Sequence, residues 1–144
     1  MFKYIAPILM SIAIVPFAAF SSSFESDQIK VKITVGKTIL TAFFDDNATS
    51  RALIEKFPMT IPMEDLYGRE MCFRFSESLP ANEASHSGYD VGDIVYWAPR
   101  HSFVIMYDQN GERISSLQKV GHIQSGVEVF KNTGDSDVTF ELFK

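Results

Sequence analysis

One stretch near the start of the chain decides the expected fold: Gln28-Ile29-Lys30-Val31-Lys32-Ile33-Thr34-Val35-Gly36-Lys37-Thr38-Ile39-Leu40-Thr41-Ala42-Phe43-Phe44. Its first half alternates apolar and polar residues, which is the period of two expected for a strand with one buried face. A glycine at the first position of the two-residue loop Gly36-Lys37 is typical of a type II′ turn, and an apolar run follows at once in residues 38–44. The stretch therefore predicts a β-hairpin.

The residues after this hairpin predict a short helix. The triplet Asp45-Asp46-Asn47 has short polar side chains, which favour the cap of a helix. The helix is expected over residues 48–57, because Pro58 prevents its continuation. Its core-facing residues are predicted to be Ala52, Leu53 and Phe57.

The rest of the chain carries short strand patterns separated by turn residues. Strands are predicted at residues 59–63, 70–75, 94–98, 102–107, 114–120 and 138–142. Pro62 is expected near a sheet edge, because proline cannot donate to a strand ladder. Asn110-Gly111 is a strong hairpin-turn signal before the strand at 114–120. Ser125-Gly126-Val127-Glu128 fits a capping box, which predicts a second short helix over residues 126–131.

These patterns together favour a mainly β fold. About eight short strands with two short helices at tight spacing are typical of a closed β-barrel with small helical plugs. Residues 76–93 form the longest irregular stretch, and a loop of that length in a small domain is usually functional or mobile.

Length and composition exclude several classes of protein. The 144 residues suffice for one domain, and 46% hydrophobic with 22% charged residues excludes a disordered chain. Thirteen basic residues against 18 acidic ones give a net charge of −5, and without a basic cluster no nucleic-acid partner is expected. The single cysteine, Cys72, excludes an intrachain disulfide and is expected to be a small buried apolar residue.

The first residues resemble a secretory leader. Met1-Phe2-Lys3 carries one positive charge, and an apolar run follows over residues 4–20 that is short for a membrane span of about 20 residues. A small-x-small site at Ala19-Phe20-Ser21 predicts cleavage before Ser22 and a secreted or periplasmic location. We therefore expect a signal peptide at 1–21, a linker at 22–28 and the barrel at 29–144, with no membrane contact after leader removal. The alternative is an uncleaved N-terminal anchor.

Motifs for enzyme chemistry are missing from the sequence. The spacing of His86, His101 and His122 presents no two of them together as metal ligands, so no metal or cofactor is predicted. Neither a G-x-S-x-G nucleophile motif nor a glycine-rich phosphate loop is present. The carboxylate pairs fit turns and solubility more simply than acid–base catalysis; they are Asp45-Asp46, Glu64-Asp65 and Asp135/Asp137.

Aromatic and cationic side chains cluster in the middle of the chain. Strand alternation places Tyr96 and Trp97 on opposite faces. Exposed aromatics beside arginine or histidine form ordinary recognition surfaces for peptides or planar ligands. The candidate ligand-binding residues are Arg74, Trp97, Arg100, His101 and Phe103. The alternative is that the aromatic residues only fill the barrel interior.

Several segments resemble the bacterial cyclophilin-like domain family. The main one is Val91-Gly92-Asp93-Ile94-Val95-Tyr96-Trp97-Ala98-Pro99, followed by Phe103-Val104-Ile105-Met106-Tyr107. Further segments that fit are Thr41-Ala42-Phe43-Phe44, Asn47-Ala48-Thr49-Ser50-Arg51-Ala52-Leu53, Ser78-Leu79-Pro80 and Val120-Gly121-His122-Ile123-Gln124-Ser125-Gly126-Val127-Glu128-Val129. The resemblance covers residues 29–142 and implies a closed eight-stranded, cyclophilin-like barrel capped by helices. Its members are mostly of unassigned activity, so it implies a fold more than a function.

The resemblance leaves two functions open. The first is a non-catalytic module that binds a peptide or small molecule, with residues 76–93 as one rim. The second is a peptidyl-prolyl isomerase using Arg74 and Phe103. True cyclophilins carry Phe-x-Arg, with Phe five, Gln eight and Gly-Gly nine and ten residues after the arginine. Around Arg74 this chain departs from the pattern at Cys72, Leu79, Asn82, Glu83 and Ala84. The comparison therefore implies that isomerase activity is absent or weak, and a hydrolase or metal enzyme has no motif behind it.

Overall fold

The described residues form a closed barrel. A computed structural model describes residues 27–82, 84 and 88–144, and in them eight strands, one α-helix and two 3₁₀ helices are present. The strands are β1 Ile29–Val35, β2 Thr38–Phe44, β3 Met59–Leu66, β4 Glu70–Arg74, β5 Asp93–Trp97, β6 Ser102–Met106, β7 Leu117–Ile123 and β8 Ser136–Leu142. The helices are α1 Ala48–Ile54 and the 3₁₀ segments Ala98–Arg100 and Val127–Asn132. The predicted mainly β barrel is confirmed, while the expected leader at 1–21 lies outside the described residues.

The strands close in the order β1-β2-β7-β5-β6-β4-β3-β8, and β8 pairs back with β1. The β1–β2 hairpin is confirmed, with Val35 opposite Thr38 and Ile29 opposite Phe44. Gly36 has φ 56°, the sign that the first position of a type II′ turn requires. Every ladder is antiparallel.

The barrel interior is filled by one face of each strand. Val31 and Ile33 of β1 are fully buried, as their alternation predicts, and Phe140 of β8 packs against Phe103 with ring centroids 5.1 Å apart. In the last strand, Val138 and Phe140 are fully buried, whereas Leu142, the next residue on the same face, is 43% exposed. Leu142 belongs to the last residue pair of the β1–β8 ladder, so its side chain lies beyond the filled interior.

Helix α1 begins where the sequence predicts it and ends early. The side chain of Asn47 caps it by accepting from the backbone N–H of Ser50 at 2.9 Å. The helix stops at Ile54, because i→i+3 bonds from Lys56 and Phe57 tighten the following turn. Leu53 is fully buried, and Phe57 still packs on the core from outside the helix.

The hairpin predicted at Asn110-Gly111 is wrong. Strand β5 lies between β6 and β7, so residues 107–116 cross outside β5 instead of joining two paired strands. The following strand begins at Leu117, because Ser116 has φ 63° and interrupts extended backbone. An Asn-Gly turn signal is local and does not determine which strands pair.

Two further predictions are corrected. Ser125 does not cap the segment Val127–Asn132, because Gly126 occupies the cap position at φ 89° without a side-chain hydrogen bond. Pro62 does not lie on an edge strand, since β3 belongs to a closed barrel, but only the β8 side of Pro62 is paired. The β3–β4 ladder ends at the pair Glu64–Cys72. By strand alternation the next partner of Arg74 would be Pro62, which has no N–H to donate.

Candidate functional site

The barrel wall formed by β4, β6, β5 and β7 is covered on its outer face as well. A second buried cluster lies there, made of Cys72, Tyr89, Val95, Val104, Met106 and Leu117. Strands β5 and β6 read as continuous apolar runs because both of their faces are buried. The expectation that Cys72 is a small buried residue is confirmed, and burial raises the pKa of its thiol.

A groove of about 310 Å³ lies on this wall. We call it the outer groove. Its apolar lining consists of Leu66, Val95, Val104, Met106, Ile114 and Leu117, its aromatic lining of Tyr67 and Trp97, and its polar lining of Arg69, Glu70, Arg74, Ser102 and Glu112. The volume is at the lower end of the range for small-ligand sites.

Arg74 and Ser102 form one polar end of the outer groove. They are cross-strand partners on β4 and β6, and Arg74 Nε donates to Ser102 Oγ at 3.4 Å. The Arg74 side chain is exposed. Among the described residues, no carboxylate forms an ion pair with it. This end therefore presents a cation to solvent.

Arg69 forms the other polar end between two glutamates. Its Nε lies 3.0 Å from Glu70 Oε1, and its Nη1 is paired with Glu112. Burial lowers the Arg69 pKa, but the hydrogen bonds to Glu112 and Glu70 outweigh it and the pKa is raised. Burial raises the pKa of Glu70, and Arg69 offsets part of that effect. The three groups tie the 107–116 connection to β4.

Trp97 lies beside the Arg74–Ser102 end, because it is the cross-strand partner of Ser102 on β5. Its ring is partly buried against the outer cluster, and Nε1 donates to the backbone carbonyl of Ser115 at 3.2 Å. The predicted opposition of Tyr96 and Trp97 is confirmed, because Tyr96 is fully buried in the barrel interior. Trp97 is the chain's single tryptophan, so its signals report on this groove alone.

The structure brings together two of the five predicted ligand-binding residues. Arg74 and Trp97 both line the outer groove. Phe103 is fully buried and faces the interior, because its strand alternates and Ser102 takes the outward position. Arg100 is exposed and His101 donates from Nδ1 to the Phe75 carbonyl at 3.2 Å, both at the β5–β6 connection outside the groove lining. That any of the five binds a ligand stays a prediction.

Sequence reasoning missed the charged end at Arg69. A signal was present, because Glu70 directly precedes the apolar residues 71–73 of its strand, where a buried carboxylate requires a partner. Glu112, the second carboxylate paired with Arg69, lies 43 residues after it on a connection predicted as a hairpin, so this pairing was not visible from spacing.

A second polar cluster lies at the start of β5. Buried Asp93 accepts from His122 Nδ1 at 2.8 Å and from the Asp90 backbone N–H at 2.9 Å, with Lys119 Nζ at 3.7 Å. A Cβ at Gly92 would lie 2.9 Å from the His122 ring, so the ring packs directly on this glycine. The cluster fastens β5 to β7. Within the described part of the chain, no group of three or more His, Cys, Asp or Glu side chains could hold a metal ion, and His86 lies outside that part.

Comparisons with known proteins agree with this architecture. The model of the cyclophilin-like family matches residues 33–141. The chain belongs to the cyclophilin-like family. The solution structure of a hypothetical protein from Archaeoglobus fulgidus is similar in fold, with a TM-score of 0.66 and 15% identity over 84% of this chain and 99% of that one. A search of curated proteins gives no significant match, and no helix in the described residues is long and apolar enough to cross a membrane. The bacterial part of the resemblance stays a prediction.

Proposed function

We propose that this cyclophilin-like domain is a non-catalytic binding module that acts outside the cytoplasm and holds a peptide or small molecule in the outer groove. The observation that carries the proposal is the groove itself. Apolar side chains floor it, and the exposed cation Arg74 and the ring of Trp97 line it. Apolar floors with a few oriented polar groups are the usual composition of ligand sites.

The outer face of this wall supports the proposal against a purely structural role. A barrel needs apolar residues on its inner face only, and outward residues of a solvated wall are normally polar. Here Val95 and Val104 face outward and are buried, and both line the groove of about 310 Å³ that stays open beside Trp97.

The isomerase alternative is less well supported. An isomerase lowers a rotation barrier of about 18–20 kcal/mol by weakening amide resonance, which needs its cation and its proline pocket on one surface. Arg74 lies on the outer face of the wall, while Phe103 is fully buried on the inner face. These two residues therefore do not form a common pocket, which favours binding without catalysis.

A thermal-shift screen of the full chain tests the proposal. Proline peptides, apolar peptides and small metabolites are compared, since a ligand at a hundredfold excess over Kd adds about 2.7 kcal/mol to the apparent stability. We expect at least one class to stabilise the protein and the effect to disappear in Trp97→Ala. The control Phe143→Ala changes a partly exposed aromatic residue outside the groove and keeps the shift. The proposal is contradicted if a ligand stabilises Trp97→Ala as much as the parent chain. It is also contradicted if no ligand stabilises the parent chain.

A further inference from the structure

We infer that the occupant of the outer groove is the C-terminal end of an apolar peptide, with its terminal carboxylate bound at Arg74. The inference rests on the proposed function and names the ligand of the same site.

The distribution of charge in the groove supports this ligand. Two cations line it, and Arg69 is already paired with Glu70 and Glu112. Arg74 has the hydroxyl of Ser102 as its hydrogen-bond partner, and within the described residues it lacks a paired carboxylate. A guanidinium with free donors binds a carboxylate through two parallel hydrogen bonds. The cation of the groove that has no paired carboxylate among the described residues therefore lies at the Arg74 end.

The opposite end selects against a second anion. Arg69, Glu70 and Glu112 together carry a net charge of −1 when ionised. Glu70 and Arg74 lie on the same face of β4 four residues apart, so their Cα atoms are separated by about 13 Å at 3.3 Å per residue. A ligand that spans this length needs an apolar body and one carboxylate, and a second carboxylate at the far end meets repulsion.

The form of the groove favours a peptide over a free fatty acid. The apolar floor is interrupted by polar groups that suit peptide amides, namely Ser102 Oγ and the Glu112 carboxylate. Tyr67, which is 67% exposed, extends the lining towards solvent. An open groove of about 310 Å³ holds the last few residues of a chain while the remainder stays in water.

Trp97 fluorescence of the full chain gives the test. The probes are acetyl-Ala-Leu-Leu with a free carboxylate, the same peptide as its C-terminal amide, decanoate, and acetyl-Glu-Leu-Leu with a free carboxylate. We expect the first peptide to change the Trp97 signal saturably, and the other three to bind at least about tenfold more weakly, because each lacks the carboxylate, lacks the amides or adds an anion.

Variants separate the role of Arg74 from general effects. Arg74→Gln should weaken binding of the free-acid peptide at least about tenfold and leave binding of the amide unchanged. Arg74→Lys should lose less of the affinity for the free acid. Arg51→Gln is the matched control, an exposed arginine on α1 outside the groove. Should Arg74→Gln fail to fold, the acid–amide comparison on the unchanged chain still decides.

The outcomes distinguish the inference from the proposed function. Equal binding of acid and amide, tighter binding of decanoate, or full binding by folded Arg74→Gln overturns the inference while the groove remains a ligand site. If no probe here and no ligand in the screen changes Trp97 or stability, the proposed function fails and the inference fails with it.

Discussion

Arg74 lies on the outer face of the wall, next to the point where the β3–β4 ladder ends. Strand β4 directs alternate side chains to the two faces of the wall, and its register with β6 places Arg74 opposite Ser102 on the outer face. Pro62 of β3 offers no N–H at the point where the β3–β4 ladder would reach Arg74, and the ladder ends at Cys72. A second groove of about 530 Å³ lies at this seam. Arg74 borders both grooves, which accounts for its exposure.

The buried position of Phe140 predicts that Phe140→Ala greatly lowers the free energy of unfolding. Phe140 is fully buried and contacts the rings of Phe57 and Phe103, so its truncation should cost about 3–5 kcal/mol. Urea unfolding of the full chain measures the loss. Phe143→Ala, at a residue that is 37% exposed, is the control and should change stability by about 0.5 kcal/mol or less. Equal losses for both variants would contradict the assigned core.

The raised pKa of Tyr107 predicts that the protein loses stability at high pH. Burial, with the hydrogen bond to Asp65, raises the pKa of Tyr107 from 10.0 to about 12. The unfolded chain therefore loses this proton first, and stability falls between pH 10 and 12 by up to about 1.4 kcal/mol per pH unit. Below pH 10 the residue adds no pH dependence. Unfolding free energies of the parent and Tyr107→Phe from pH 9 to 12 measure this, and parallel curves for the two proteins would refute it.

At the scale of elements, the sequence predicts where the strands lie better than it predicts which strands pair with each other. The alternation over Ile29–Val35 and the cap at Asn47 are local patterns, and both agree with the structure. The partner of β7 is not local, because β5 is inserted between β6 and β7. Local patterns were enough to select Trp97 and Arg74 as site candidates. The position of Glu112 in the groove depends instead on how residues 107–116 cross the wall, which no local pattern predicts.

The 107–116 connection should loosen when its ion pair is removed. Glu112 binds buried Arg69, and the backbone N–H groups of Tyr107 and Asp108 donate to the Arg69 carbonyl. In Glu112→Gln we expect hydrogen exchange of amides 109–116 to be several-fold faster, with β1 unchanged. Glu128→Gln, at an exposed residue of another element, serves as control. Unchanged exchange in the connection would show that the Arg69–Glu112 ion pair does not hold it.

At the scale of the whole molecule, the closed barrel fixes where the outer groove lies. The barrel fold by itself does not specify a function. Eight strands pair in a ring within the described residues, and a fold of this kind can carry unrelated functional sites. The family assignment and the fold neighbour support the barrel.

The proposed location makes a separate prediction. The charged start, the apolar run and the Ala19-Phe20-Ser21 site predict export with loss of the leader. Intact mass of the protein from the extracytoplasmic fraction should correspond to a chain that begins near Ser22. Full-length chain confined to the cytosol contradicts export, and full-length chain at the membrane indicates the uncleaved anchor.

The central claim is that the outer groove binds a ligand without isomerising it, and one NMR experiment tests it directly. The full chain, ¹⁵N-labelled, is titrated with acetyl-Ala-Pro-Leu-Leu, while exchange spectroscopy follows the cis and trans forms of the peptide. We predict that the single indole N–H resonance, that of Trp97, shifts saturably, and that cis/trans exchange keeps its uncatalysed rate. Exchange that is accelerated by the protein and slows again in Arg74→Ala, or an indole resonance that stays fixed at saturating peptide, would contradict it.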